Sequence, residues 1–169
     1  GLPTEDVLFD GQIIGIDVGA IYKGYYGDHA KTFSVGGINK EKEQLIDITR
    51  QSLLEGIKQA KPGNHIGDIG YAIQSFAEKH GYSVVRELVG HGIGNNLHEE
   101  PQVPNFGNKG HGHTIEEGLC LAIEPMINLG NPRVYTKNDN WTVCTVDGLP
   151  SAHFEHSVAV FENKVKILT

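Results

Sequence analysis

Basic residues are few and scattered. Lys and Arg number 14 against 21 Asp and Glu in 169 residues, a formal charge of −7, and they nowhere form a block. A surface that neutralises phosphates needs such a block, so the composition argues against nucleic acid as a partner. Cysteine is scarcer still. Cys120 and Cys144 are the 2 cysteines and lack Cys-x-x-Cys spacing, which excludes a disulfide framework and points to a reducing, cytoplasmic compartment. Both read as small buried side chains inside strands. No apolar run approaches the ~18 residues of a membrane span, and Glu5, Asp6, Asp10 and Asp17 interrupt the first stretch, so neither a transmembrane helix nor a signal peptide is expected. Three catalytic signatures are missing as well. His98-Glu99-Glu100-Pro101 is not followed by a histidine at zincin spacing, and there is neither a P-loop nor a Gly-x-Ser-x-Gly elbow.

What remains is one domain, residues 1–169, long enough for a single well-buried core. Its 22 glycines are spread singly around turns, as in a chain of short, tightly joined strands. Gly11–Tyr22 is alternating and β-branched, and with Asp28–Gly36 beyond the turn-rich KGYYG it reads as an antiparallel hairpin. Lys40–Ala60 has the spacing of an amphipathic helix, with Ile46, Leu53, Ile57 and Ala60 on one side, Glu41 and Glu43 in the first turn, and Pro62-Gly63 as its end. Ile66, Ile69, Ile73, Phe76 and Ala77 mark a second helix, which stops at His80-Gly81. GYSVVREL, a glycine-rich bend, GLCLAIEPMIN and a loop at Asn131-Pro132 come next. A closing hairpin follows, NWTVCTVD paired through GLP with SAHFEHSVAVF. Two helices between groups of strands predict an α+β fold, with helices covering one face of a largely antiparallel sheet.

Side chains two apart on a strand share a face. Asp17 then lies with Ile13 and Gly15, Asp28 with Ala30 and Thr32, Glu124 with Cys120 and Ala122, and Glu155 with His153 and Ser157. The opposite faces, carrying Ile14, Ile16 and Val18, then Phe33 and Val35, then Leu121 and Ile123, then Phe154, Val158 and Val160, are expected to pack under the helices. The acidic faces then line a cavity. Four carboxylates in a partly dry site repel one another, and bound cations remove that conflict. Two divalent ions neutralise the four, and a histidine adds a neutral nitrogen donor. Oxygen donors with one nitrogen suit Mn, Fe(II), Co, Zn or Ni. His91 and His98, in VGHGIGNNLHEEP, stand in a segment with little side chain for a core.

IDV at Asp17, GDHAKTF at Asp28, GHGIGNNLHEEPQVPN at His91 and His98, AIEPMIN at Glu124 and FEH at Glu155 together resemble the methionine aminopeptidases, most closely their type I branch. The match runs from about Leu8 to the C-terminus. The resemblance implies the pita-bread (creatinase/aminopeptidase-like) fold, a curved antiparallel sheet with helices on one face. It further implies that Asp17 chelates one metal ion, that Asp28 and Glu155 bridge two, and that His91 and Glu124 complete the second ion's shell. Glu124 would also be the catalytic acid/base acting on a bridging water. His98 would contact the scissile amide, and Trp141 would wall the methionine side-chain pocket. The implied substrate is the N-terminal Met of peptides and nascent chains, with ribosome association and a monomeric state as further expectations.

Two departures from the family stand out. Leu97 takes the place of a phenylalanine usual in the type I pocket, which leaves the strictness of methionine selection open. Family members also carry an upstream segment with a further substrate-contacting histidine, just before a Gly-x-Pro that Gly1-Leu2-Pro3 resembles. The chain therefore reads as N-terminally truncated, and weak activity of this polypeptide by itself is expected. Rival readings are an aminopeptidase of the same fold with another specificity, such as Xaa-Pro, and a non-catalytic peptide-binding derivative. His153, which shares the face of Glu155, is a candidate for supporting the ligands.

Overall fold

The alternating segment at the start of the chain forms strands β1, Ile13–Tyr22, and β2, Tyr25–Ser34. They pair antiparallel from Ile13↔Ser34 to Tyr22↔Tyr25. Their connection is two residues, shorter than the expected KGYYG turn. Lys23 and Gly24 both take positive φ, 51° and 85°, the geometry of a hairpin turn whose twist matches its strands. The structure is a computed structural model and describes residues 5–169. The Gly1-Leu2-Pro3 match lies outside the described residues.

Helix α1, Lys40–Ile57, starts where Asn39 accepts a hydrogen bond from the Lys42 N–H. It ends earlier than Pro62-Gly63 would dictate. Lys58–Ala60 turn more tightly, Gln59 and Ala60 donating to the carbonyls of Gly56 and Ile57, and Ala60 is still delivered into the core. Helix α2, Ile66–Lys79, begins with Asp68 accepting from the His65 N–H at 2.7 Å and stops at His80, as its pattern predicts. The helices meet at Gly56, where a Cβ would fall 2.7 Å from Ile73 Cγ1. Glycine there permits close packing.

Ten short strands complete the fold: β3 Ser83–Val84, β4 Gly90–Gly92, β5 Glu99–Val103, β6 Cys120–Ile123, β7 Met126–Asn128, β8 Val134–Thr136, β9 Val143–Thr145, β10 Ser151–His153, β11 His156–Phe161 and β12 Lys164–Ile167. They form a five-stranded sheet in the order β12-β11-β6-β4-β5, a three-stranded sheet β10-β7-β3 and the ribbon β8-β9. Every pairing among the described residues is antiparallel. Leu45 and Leu53 of α1 and Ile69 and Ile73 of α2 join one buried cluster with Leu121, Ile123, Ile127, Phe154 and Val158 from the strands.

Several sequence expectations change here. The closing hairpin does not pair as NWTVCTVD with SAHFEHSVAVF. Val143–Thr145 pairs instead with Val134–Thr136, and Ser151–His153 pairs with β7, because the Asn131-Pro132 loop is followed by a strand close enough to compete. The glycine-rich bend contains strand β4. The prediction that apolar faces pack under the helices holds for Leu121, Ile123, Phe154, Val158 and Val160 but fails on the hairpin, where Ile16 is 47%, Val18 57% and Phe33 41% exposed and Val35 is half-buried. The hairpin is held by the edge of β2 against the 153–157 segment, which leaves much of its outer face open to solvent. The cysteines do lie on β6 and β9, but both are partly exposed free thiols.

Candidate metal centre

Each acid of the candidate site arrives on a different piece of backbone, and each piece is pinned near its side chain. On the hairpin, Asp28 stands opposite Gly19 and Asp17 opposite Ala30, so both carboxylates face the same way. Alternate residues of β2 then fasten to the 153–157 segment. Ser157 Oγ donates to the Asp28 carbonyl and accepts from its N–H, each at 2.9 Å. Ala30 O accepts from the Glu155 N–H at 2.8 Å. Thr32 Oγ1 bonds both the N–H and the carbonyl of His153, again at 2.9 Å. The small residues on the acidic face of β2 therefore let a second strand edge lie beside it. Glu155 sits in the break between β10 and β11, and Glu124 in the break between β6 and β7, before Pro125. Alternation placed both acids on strands, and the structure places both at interruptions.

His91 lies on β4, between β5 and β6, opposite Ala122. Its flanking glycines have a steric cause. A Cβ at Gly90 would fall 2.3 Å from the Ala122 carbonyl oxygen, and one at Gly92 would fall 2.3 Å from that of Glu100. His91 is itself buried, and its Nδ1 lies 2.9 Å from the Gly92 carbonyl. A carbonyl oxygen only accepts, so Nδ1 carries the proton and Nε2 presents a lone pair. That lone pair faces Glu124 Oε1 at 3.6 Å, and on the other side of Glu124 the Nε2 of His153 stands 3.5 Å from Oε2. His98 is exposed and packs edge-on against His91, ring centroids 4.3 Å apart.

The electrostatics are those of a closely gathered acidic cluster. Glu155 is 2% exposed, and burial, followed by the charges of Glu124, Asp28 and Asp17, pushes its carboxyl up to about 9. Burial and the neighbouring Asp28 raise Asp17 as well. Buried polar atoms point at the same spot, since Glu155 Oε1 and His153 Nε2 have no hydrogen-bond partner. Donor atoms of Asp28, His91 and Glu155, and separately of Glu124, His153 and Glu155, lie within 4.8 Å of one another. Ligands about 2.1 Å from an ion at a tetrahedral angle are about 3.4 Å apart, close to the 3.6 and 3.5 Å that separate Glu124 from its two imidazoles. The donor chemistry, the orphaned atoms and the repulsion all fit divalent cations.

Above these groups opens a cavity of about 1000 Å³, lined on its polar side by Asp17, His91, His98, Glu124 and His153, and elsewhere by Leu88, Met126, Trp141 and Val143. Asp28 and Glu155 lie beneath its floor. Trp141 belongs to the turn joining β8 to β9, and at 65% exposure it is a rim residue. Leu97 is not among the described residues lining the cavity. A Cβ at Gly19 would touch its Cδ1 at 3.6 Å, which puts Leu97 against the hairpin. Sequence reasoning missed Asn105, which is fully buried and donates to the carbonyls of Glu124 and Leu88.

The family model for metallopeptidase family M24 matches residues 1–162. Methionine aminopeptidase 1 of Bacillus subtilis is 49% identical over 169 residues, all of this chain and 68% of its own length. The chain belongs to the M24 metallopeptidases, among the methionine aminopeptidases. The crystal structure of methionine aminopeptidase from Rickettsia prowazekii superposes with a TM-score of 0.97 at 45% identity, covering 99% of this chain and 68% of that one. Prolidase from Pyrococcus furiosus shares the fold, with a TM-score of 0.77 at 24% identity over 97% of this chain and 43% of its own. Membership of this metallopeptidase family implies a divalent-metal centre, and the acidic cluster is where the chain offers the donors for it. The pita-bread expectation is met by the same comparisons.

Proposed function

We propose that this chain hydrolyses the peptide bond after an N-terminal methionine, using a dinuclear centre held by Asp17, Asp28, His91, Glu124 and Glu155. The observation that carries this reading is the convergence of four carboxylates, two from one hairpin and two from strand interruptions, around the buried Asp28, His91 and Glu155, with the Glu155 carboxyl pushed up to about 9. A carboxyl held that far from its ordinary range in a cleft marks a site built to lose its proton to a cation. Identity to methionine aminopeptidases at 45–49% supports the Met-specific reading over an Xaa-Pro one, for which the likeness is one of fold.

Divalent ions, two of Mn, Fe(II), Co, Zn or Ni, supply Lewis acidity and lower the pKa of a water. The remaining steps belong to the chain. Asp28 and Glu155, beneath the floor, would hold the shared charge, and Asp17 and His91 would complete the two sides. Glu124 has one oxygen turned to each imidazole and reaches the cavity. It takes the proton of the attacking water and hands it to the leaving amine. His98, exposed at the cavity wall, donates to the scissile carbonyl as negative charge develops there. Leu88, Met126 and Val143, with Trp141 at the rim, would receive the unbranched methionine side chain. The substrates are N-terminal Met peptides and nascent chains, in the cytoplasm.

The test is release of methionine from Met-Ala-Ser by the Mn(II)- or Co(II)-loaded chain, scored beside Pro- and Leu-initiated peptides. Met-selective release that a chelator stops, and that Glu124→Ala abolishes while metal remains bound, is the expected result. Turnover persisting in Glu124→Ala removes the acid/base assignment. A Pro- or Leu-first preference removes the specificity.

A further inference from the structure

The imidazole of His153 has a place in the site that none of the five proposed ligands explains. Its backbone is fixed on both sides of the Cα, because Thr32 Oγ1 accepts from its N–H and donates to its carbonyl, and the residue pairs with Met126 across β10 and β7. The side chain is thereby aimed into the cavity. Its Nε2 is buried without a hydrogen-bond partner and stands 3.5 Å from Glu124 Oε2, a separation close to that of His91 Nε2 from Glu124 Oε1, 3.6 Å. Glu124, His153 and Glu155 bring their donor atoms within 4.8 Å of one another, as do Asp28, His91 and Glu155. The two triads share Glu155.

We propose that His153 is a sixth protein ligand of the metal centre, its Nε2 binding the ion it shares with Glu124 and Glu155 so that the centre carries two imidazoles. The inference rests on the dinuclear reading above and sharpens it. A buried, unpaired imidazole nitrogen beside two carboxylates costs free energy as a spectator and repays that cost as a donor. The second nitrogen also changes which metals suit the site. A carboxylate-rich centre with one histidine accommodates Mn(II) well, whereas a two-imidazole centre favours Zn, Co(II), Ni(II) or Fe(II).

The measurement that does not depend on turnover is 15N NMR of imidazole-labelled 1–169 chain titrated with Zn(II). Two histidine Nε2 resonances moving to metal-bound values, one of them absent in His153→Gln, is the expected result. One moving resonance, assigned to His91, with zinc still bound overturns the sixth ligand and leaves the parent reading standing. No moving resonance and no bound zinc overturns both. Equilibrium dialysis adds a second readout. In His153→Gln the affinity for one Zn(II) should fall at least about tenfold, with Mn(II) affected less. Loss within twofold for Zn(II), in a variant whose circular dichroism matches the parent chain, likewise counts against the proposal. Because the titration of the unmodified chain needs no variant, misfolding of His153→Gln would not rescue the idea.

Discussion

Glu155→Gln should make the metal-free chain more stable and the metal-loaded chain less so, and pH should separate the two effects. In the folded, metal-free protein the Glu155 carboxyl is pushed from 4.5 up to about 9, by burial first and then by Glu124, Asp28 and Asp17. Between those values the folded state keeps a proton that the unfolded chain has released. Stability is therefore fully present below 4.5 and is lost as pH rises towards 9, at about 1.4 kcal/mol per pH unit for this one group. By pH 7 the accumulated loss is about 3 kcal/mol, a large part of the stability of a domain of this size. Glutamine has nearly the shape of the protonated carboxyl and does not titrate, so Glu155→Gln should recover that amount at pH 7 and almost none of it at pH 4. Urea unfolding of both chains in a chelator, from pH 4 to 8, measures the difference directly. A gap that widens with pH supports the argument, and saturating Zn(II) should reverse its sign by binding the parent chain's folded state. A pH-independent gap, or greater stability of the metal-free parent chain at pH 7, would refute the view that Glu155 is held protonated against its solution preference.

Asn105→Ala removes a fully buried amide that bonds the carbonyls of Glu124 and Leu88. It should lower kcat while leaving metal stoichiometry intact, and it should destabilise the fold by about 1–3 kcal/mol through the carbonyls left unpaired. Gly70→Ala adds a Cβ 2.3 Å from the Phe106 carbonyl oxygen, forcing α2 off the 104–111 segment. A thermal melt should show a loss of about 1–3 kcal/mol, and an unchanged Tm would mean that the contact is not as tight as drawn. Ser157→Ala unties the Asp28 backbone from the floor of the site. Metal affinity should fall although no ligand is touched, and isothermal titration would read it.

The core and the chemistry were legible to different degrees. Helical spacing alone predicted α2 almost to the residue, because Ile66, Ile69, Ile73 and Ala77 mark a single buried stripe. For α1 the stripe caught Leu53, Ile57 and Ala60 but took the half-buried Ile46 in place of the fully buried Leu45, and it overran the end, since Lys58–Ala60 keep a tight turn that spacing cannot separate from helix. Strand alternation gave the face of Asp17 and Asp28 correctly, and the ten-pair register of the hairpin bears it out. It misjudged Glu124 and Glu155, whose strands break at the acids themselves. Alternation does not register a two-residue break, although Pro125 directly after Glu124 argued against a continuous strand there. The failed closing hairpin has a related cause. Pairing depends on which edge is free, and β7 offered one to Ser151–His153 that no local pattern discloses. Asn105 closes the GHGIGNNLHEEPQVPN block, yet its role stayed unread because a single buried amide has no period and its partners are backbone carbonyls elsewhere in the chain.

The exposed outer face of β1 and the buried clamp on β2 describe one design choice from two sides. A ribbon covered by helices would be held by apolar contact, which tolerates sliding by fractions of an ångström. This hairpin is held instead through Asp28, Ala30 and Thr32 by directional hydrogen bonds to Ser157, Glu155 and His153, and those fix a register. Three of the four acids, Asp17, Asp28 and Glu155, take their relative positions from that one seam. Carboxylates free to move would relieve their repulsion by spreading apart. Pinned on a registered backbone, they cannot, and the Glu155 carboxyl is pushed up to about 9, by burial first and then by its acidic neighbours. A cation entering such a site displaces a proton and needs to order little else, so rigidity that destabilises the empty centre strengthens the filled one.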